Sequence, residues 1–215
     1  MRRLHPVIYT LFLALFGLLG YFAHRFPSFP GDNTISQWLQ GISLPLFSQT
    51  MEVASSLGET VPMIVTVATI AIVLLLFRRR LEAALVIAMP AIGGLVNYSF
   101  KLLVDRSRPG DAPLSGGLSF PSGHTTYAIV LGGLMLYLAP RLLKHRGLTL
   151  LVQGLAVLFF VLTGLSRVYL GAHQPSDILG SLLLGGLLLI PVIILYERKT
   201  RQINVEPEVQ NARTT

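Results

Sequence analysis

Six apolar runs, each about long enough to cross a bilayer, leave this chain few ways to fold. They fall at roughly 6–23, 58–77, 82–104, 122–140, 148–166 and 176–196, where a helix needs about 20 residues to span the hydrocarbon core. In hydrocarbon every backbone N–H and C=O must find its partner inside the protein, and a helix supplies one for each residue. The composition points the same way: 52% of the 215 residues are hydrophobic and only 13% are charged, more apolar surface than a soluble domain of this size can hide. The expected fold is therefore all-α, a polytopic membrane protein of six transmembrane helices. One domain would cover residues 1–201, followed by a polar, unstructured tail at 202–215.

Details within the runs refine this picture. The first run follows Met1-Arg2-Arg3 and lacks a small-x-small cleavage site, because Tyr21 stands two positions before Ala23. It reads as an uncleaved first helix rather than a signal peptide. The third run contains Pro90 and the pair Gly93-Gly94, which predict a kink or a close helix crossing, not a break. The chain has no cysteine, which excludes disulfides and thiolate metal sites.

The net charge of +7 suggests nucleic acid at first, but no soluble basic face exists to carry such contacts. The cations mark topology instead. Arg2, Arg3, Arg78, Arg79, Arg80, Arg141, Lys144, Arg146, Arg198, Lys199 and Arg201 all fall on one side of a six-helix arrangement. The positive-inside rule places that side, with both termini, in the cytoplasm. The other side holds only Arg25, Lys101, Arg106, Arg108 and Arg167. The segment from His24 to Leu57 is then a long external connection. In it Asp32 or Asn33 is expected to cap a short amphipathic helix, with Ile35, Trp38, Leu39 and Ile42 along one stripe and Trp38 at headgroup level. Such a helix would lid the bundle or guide a head group.

Three polar clusters at the external ends of the runs carry the chemistry: Lys101 to Pro109, Pro121-Ser122-Gly123-His124, and Ser166-Arg167 with His173 and Asp177. A charge at membrane depth costs about 2.5–3.5 kcal/mol on insertion scales, so each needs a reason. Lys101, Arg108 and Arg167 suffice to neutralise a phosphate dianion, and arginine adds a fork of donors that fits its oxygens. Lys101 and Arg108 would share a face if the helix ran on for two turns, though Pro109 works against that. Asp105 can pair with Lys101 at i+4, and Arg106 reads as a snorkelling side chain with no assigned role. Pro121 and Ser122 open a helix whose free N–H groups suit an anion, and Gly123 permits close approach. His124 in that first turn is placed to protonate a leaving oxygen. His173 and Asp177 are one turn apart, so the carboxylate can hold one imidazole nitrogen and leave the other free to attack. A metal shared by His124, His173 and Asp177 is disfavoured by the three nearby cations. His5, His24 and His145 receive no role.

The three clusters resemble the signature of the type 2 phosphatidic acid phosphatases, the membrane lipid phosphate phosphatases. That signature is a lysine, six residues and Arg-Pro, then Pro-Ser-Gly-His, then Ser-Arg, five residues, histidine, three residues and aspartate, and the chain matches each part at full spacing. The resemblance covers roughly residues 55–196. It implies six transmembrane helices and an outward-facing site that needs no cofactor or metal. It also implies that His173 is the nucleophile of a phosphohistidine intermediate and that Asp177 orients it. His124 would serve leaving group and water, while Lys101, Arg108, Ser122, Gly123 and Arg167 would hold the phosphate. The soluble vanadium haloperoxidases share such a site, but the apolar composition argues against that activity.

The expected function is hydrolysis of a phosphate or diphosphate monoester of a lipid at the outer leaflet of the plasma (inner) membrane. The partners are then a phosphorylated lipid and the bilayer. Undecaprenyl diphosphate leads as substrate, since an outward site matches where that carrier is released, with phosphatidylglycerol phosphate and phosphatidic acid as alternatives. Phosphotransfer to a lipid acceptor would use the same first step. A phospholipid transporter would need the cations but not two histidines and an orienting carboxylate, and the complete motif set argues against an inactive scaffold.

Overall fold

The computed structural model of the protein describes residues 4–110 and 117–212. Its helices are α1 (Leu4–Arg25), α2 (Asp32–Gln40), α3 (Pro45–Ser56), α4 (Thr60–Leu76), α5 (Arg80–Val104), α6 (Gly123–Leu142), α7 (Arg146–Tyr169) and α8 (Pro175–Ala212). Arg2, Arg3, part of the loop after Pro109, and the last three residues of the expected tail lie outside the described residues. Where an unstructured tail was expected from 202, α8 continues to Ala212.

Among the described residues five helices, α1 and α5 to α8, are long and apolar enough to cross a membrane. The expected second span is shorter than its apolar run: α4 has 17 residues. It meets α3 at a bend of 69°, and the pair counts as a sixth span only if taken together. The third span is continuous through Pro90. Gly93 faces Val130 of α6, where an added Cβ would make ordinary contact at 3.5 Å, so the expected close crossing does not depend on this glycine.

Helix α6 sits at the centre, packed by α5, α7 and α8, and most of its N-terminal half is buried, from Thr125 to Gly132. Helix α1 covers α8, where Phe16, Val104, Phe120 and Leu184 form one buried cluster. Gly180 lets Phe120 in: a Cβ there would stand 2.4 Å from its ring. Around this core Leu11, Leu18, Val65, Leu76, Leu95, Leu103, Leu151 and Leu158 are exposed, a belt suited to acyl chains and not to water.

The connection between α1 and α4 folds down onto the helix ends. His24 Nδ1 contacts the Val104 carbonyl at 3.0 Å. Gln40 Nε2 donates to Val168 O at 2.9 Å, and Tyr169 Oη donates to Ile42 O at 3.2 Å. Helix α2 forms where a short helix was expected, but Asp32 does not cap it. Gly31 is the N-cap, and the Asp32 side chain turns inward, 3% exposed. Within the expected stripe Leu39 is buried while Ile35 and Trp38 face outward. At the opposite end of the bundle Tyr196 Oη donates to buried Glu82 at 2.8 Å, and Arg141 pairs with Glu197 at 3.1 Å.

Candidate active site

The polar clusters meet where α5, α6, α7 and α8 end on the side of the connection between α1 and α4. Helix α5 stops first. Asp105 takes a left-handed conformation, φ 50° and ψ 39°, as its C-cap, which a short polar side chain tolerates. The chain then runs extended through Ser107, which bridges Leu118 in antiparallel fashion, as a residue close before a proline favours. Lys101 and Arg108 therefore do not share a helical face. The expected Lys101–Asp105 pair is also absent: Lys101 Nζ donates to Leu118 O at 2.6 Å and Ser119 O at 3.1 Å, while Asp105 is exposed.

Ser122 is the N-cap of α6, its hydroxyl 3.5 Å from Thr125 N and 3.0 Å from Thr125 Oγ1. It is fully buried, and its own N–H donates to Asp177 O at 3.4 Å, joining the second cluster to the third. Ser181 Oγ donates to both Ser122 O and Asp177 O. Gly123 stands in the first helical position, where a Cβ would have only ordinary contact with Asn97 at 3.5 Å. Its bareness is therefore not demanded by protein packing. His124 follows, half-buried.

His173 lies in the turn between α7 and α8. It is 2% exposed, and Asp177 is fully buried. His173 Nδ1 is 3.3 Å from Asp177 Oδ2, which also accepts from Gln174 N at 3.0 Å. Burial pushes the His173 pKa down to about 4; Asp177 opposes this, and the charges of Lys101 and Arg167 add to it. The imidazole is thus neutral near pH 7, and with Nδ1 held by the carboxylate its free lone pair is on Nε2. His124 lies within electrostatic range of Arg167, His173, Arg108 and Lys101. The site brings together His173, Asp177, His124, Lys101, Arg108 and Arg167, with Ser122 and Gly123 at their edge. Arg108 Nε and Arg167 Nε are buried donors with no acceptor among the described residues. Among the described residues no three His, Asp or Glu side chains gather as metal ligands.

Several residues at the site escaped sequence reasoning. Arg106, read as a snorkelling cation, is 3% exposed. Its Nη1 donates to Asp177 Oδ1 at 2.7 Å and Ser176 Oγ at 2.8 Å. Its Nη2 donates to Asp32 Oδ2 at 3.2 Å and Pro27 O at 3.1 Å, and more closely to Gln174 Oε1. Burying a guanidinium is tolerable only with such partners, and these come from segments about 70 residues away on either side. Ser55 of α3 accepts from Arg167 Nη1 at 2.5 Å. Gly58, in the α3–α4 turn, packs on His124, and a Cβ there would lie 2.5 Å from His124 Cδ2. No local pattern marked Ser55 or Gly58. Arg106 had one signal: it is an ionisable residue near a span end with no role assigned to it.

Comparisons with known proteins agree with this geometry. The family model described as the PAP2 superfamily matches residues 81–201. Phosphatidylglycerophosphatase B of Bacillus subtilis (strain 168) is 30% identical over 177 residues, covering 80% of this chain and 85% of the relative. Undecaprenyl-diphosphatase BcrC of the same organism is 34% identical over 142 residues, 56% of this chain and 68% of that one. The crystal structure of a transmembrane PAP2-type phosphatidylglycerolphosphate phosphatase from Bacillus subtilis superposes with a TM-score of 0.76 at 27% identity, covering 89% of this chain and 96% of that one. Aquifex aeolicus LpxE, at 20% identity and a TM-score of 0.60 over 80% of this chain and 98% of its own, shares the fold.

Proposed function

The chain belongs to the PAP2 superfamily and is a membrane lipid phosphatase, and on that premise we propose that it removes the terminal phosphate of phosphatidylglycerol phosphate at the outer leaflet through a phosphohistidine at His173. The observation that carries the chemistry is the buried His173–Asp177 pair set among three cations, two of which hold unused Nε–H donors. A phosphate oxygen would satisfy those donors, which in a folded protein seldom go unmet.

His173 Nε2 attacks phosphorus, and the bond from phosphorus to the lipid oxygen breaks. His124 gives that oxygen its proton, releasing the lipid alcohol and leaving the phosphoryl group on His173. His124 then takes a proton from water as the water attacks phosphorus. Inorganic phosphate departs and His173 returns neutral. Asp177 holds Nδ1–H throughout and offsets the positive charge of the phosphorylated ring. Lys101, Arg108, Arg167 and the Gly123 N–H stabilise the charge on the transferring group, the larger share of catalysis in reactions of this type.

An apolar groove fits the lipid part of the substrate. Its volume is about 480 Å³, and Leu46, Val53, Leu57, Leu155, Leu158 and Leu162 of α3 and α7 line it. Ser55, which holds Arg167, lies on the same stretch of α3. A hydrocarbon chain in this groove need not leave the membrane while its head group reacts.

Phosphatidylglycerol phosphate is placed ahead of undecaprenyl diphosphate because the phosphatidylglycerophosphatase relative is similar over more of this chain. The undecaprenyl-diphosphatase relative, more identical over its shorter alignment, supports that carrier as the second reading. Phosphate release in detergent with EDTA present, from both lipids and from phosphatidic acid, tests the assignment beside His173→Ala. The wild type should act fastest on phosphatidylglycerol phosphate, and the variant should be silent. Activity surviving in His173→Ala, or a requirement for metal, would overturn the mechanism.

A further inference from the structure

We propose that Arg106 and Asp32 form a positioning relay through which the external segment before α2 sets the orientation of Asp177, and with it that of the nucleophile. This rests on the reading of His173 as nucleophile. The Arg106 guanidinium has its two ends in different parts of the chain. One amino group holds Asp177 Oδ1 and Ser176 Oγ, the other Asp32 Oδ2, the Pro27 carbonyl and Gln174 Oε1. The side chains of Arg106, Asp32 and Asp177 are at most 4% exposed.

The division of Asp177 oxygens is the telling feature. Oδ1 belongs to Arg106, with Ser119 Oγ at 3.4 Å, and Oδ2 to His173 Nδ1 and Gln174 N. A carboxylate bound at both oxygens cannot rotate, so His173 cannot lose its tautomer or its aim. Asp32 holds the other end of the relay. It accepts from Ser176 N at 2.9 Å, Ser176 Oγ at 2.6 Å and Phe29 N at 2.9 Å, capping the first turn of α8 from the first residue of α2, about 140 residues away. The Phe29 ring lies 5.2 Å from the guanidinium carbon. Within the relay itself, two carboxylates share one guanidinium, so Asp177 keeps negative charge to set against His173 when the ring becomes cationic on taking the phosphoryl group.

The test is steady-state kinetics in detergent on Arg106→Met, Arg106→Met/Asp32→Leu and His173→Ala. Arg106→Met should lower kcat by about 10–100-fold, as loss of an outer-shell partner of a catalytic group does, with KM within about threefold. A merely structural role would reduce kcat only in proportion to the folded fraction, measured by size exclusion, and that result would overturn the proposal. Should Arg106→Met fail to fold, the double variant removes the stranded Asp32 charge and keeps Asp177. Folded protein with kcat still low supports the relay, and recovery of wild-type kcat shows that Arg106 only balances Asp32. If the double variant also fails to fold, Asp32→Asn, which preserves the shape and the acceptor for Ser176 N, is decisive: kcat several-fold down at constant KM supports the relay, and unchanged kcat overturns it. An active His173→Ala would instead overturn the reading of the nucleophile beneath it.

Discussion

Adding one methyl group at Gly58 should disable the proton donor without touching the phosphate site. The Gly58 φ is not positive, unlike those of Gly31, Gly110, Gly117 and Gly171, so alanine fits the backbone there. The obstacle is His124. The new Cβ would stand 2.5 Å from His124 Cδ2 and 3.0 Å from both Cβ and Cγ, about 1 Å inside normal carbon contact at Cδ2. Because the base of the side chain is hit as well as the ring, rotation alone does not relieve the clash. Either the α3–α4 turn or the imidazole must shift by about 1 Å. Overpacking of this kind costs about 1–3 kcal/mol in stability, and a 1 Å misplacement of a catalytic group costs about 100-fold in rate, about 2.7 kcal/mol of barrier. The assay compares two leaving groups. A lipid alkoxide needs the His124 proton, whereas a nitrophenolate leaves unaided. Gly58→Ala should lose about 100-fold on the lipid phosphate. On an aryl phosphate it should release a burst of one nitrophenolate per enzyme and then turn over slowly, since water attack still needs His124. Equal losses on both substrates with no burst, or wild-type rates on both, would refute the reasoning.

Three further outcomes follow from the same geometry. Asp177→Asn, which keeps the shape but misdirects the His173 tautomer, should reduce kcat by about 10⁴-fold with the protein still folded, as comparable orienting carboxylates do; a loss under tenfold would contradict the pairing. Because the folded His173 pKa lies near 4 and the unfolded value is 6.5, the unfolded chain binds the extra proton first. Stability should therefore fall as pH drops from about 6.5 to about 4, and His173→Gln should flatten that slope in thermal melts. Leu162→Trp, which fills the α3–α7 groove, should raise KM for a long-chain lipid phosphate while leaving a soluble aryl phosphate unaffected; equal effects on both would remove the groove from substrate binding.

The legible part of the site was the part encoded locally. His173 and Asp177 are one turn apart at a proline-marked helix start, Ser122 opens α6 in capping position, and each cation sits in a short motif. Where inference failed, partners lay far away in sequence. Lys101 was paired with Asp105 because they are four apart, yet two carbonyls of the segment after the loop compete for its ammonium. Asp32 was expected to cap the helix that follows it and instead caps α8. Arg106 was passed over because nothing near it in sequence could neutralise it. The bend between α3 and α4 was not legible either: Gly58 in that turn packs on His124, a side chain of another helix.

By itself the sequence determined that the chain is a helical membrane protein, where its apolar helices begin and end to within a few residues, and that its short polar motifs match a lipid phosphatase signature. Those properties follow from hydrophobic run length and from spacings of one or two helical turns. Only the tertiary structure decided the rest: the bend between α3 and α4, the seat of Gly58 against His124, and the guanidinium shared by Asp32 and Asp177. A buried charge takes whatever partner the packing brings within about 3 Å, and that partner is selected by how helices cross, not by distance along the chain.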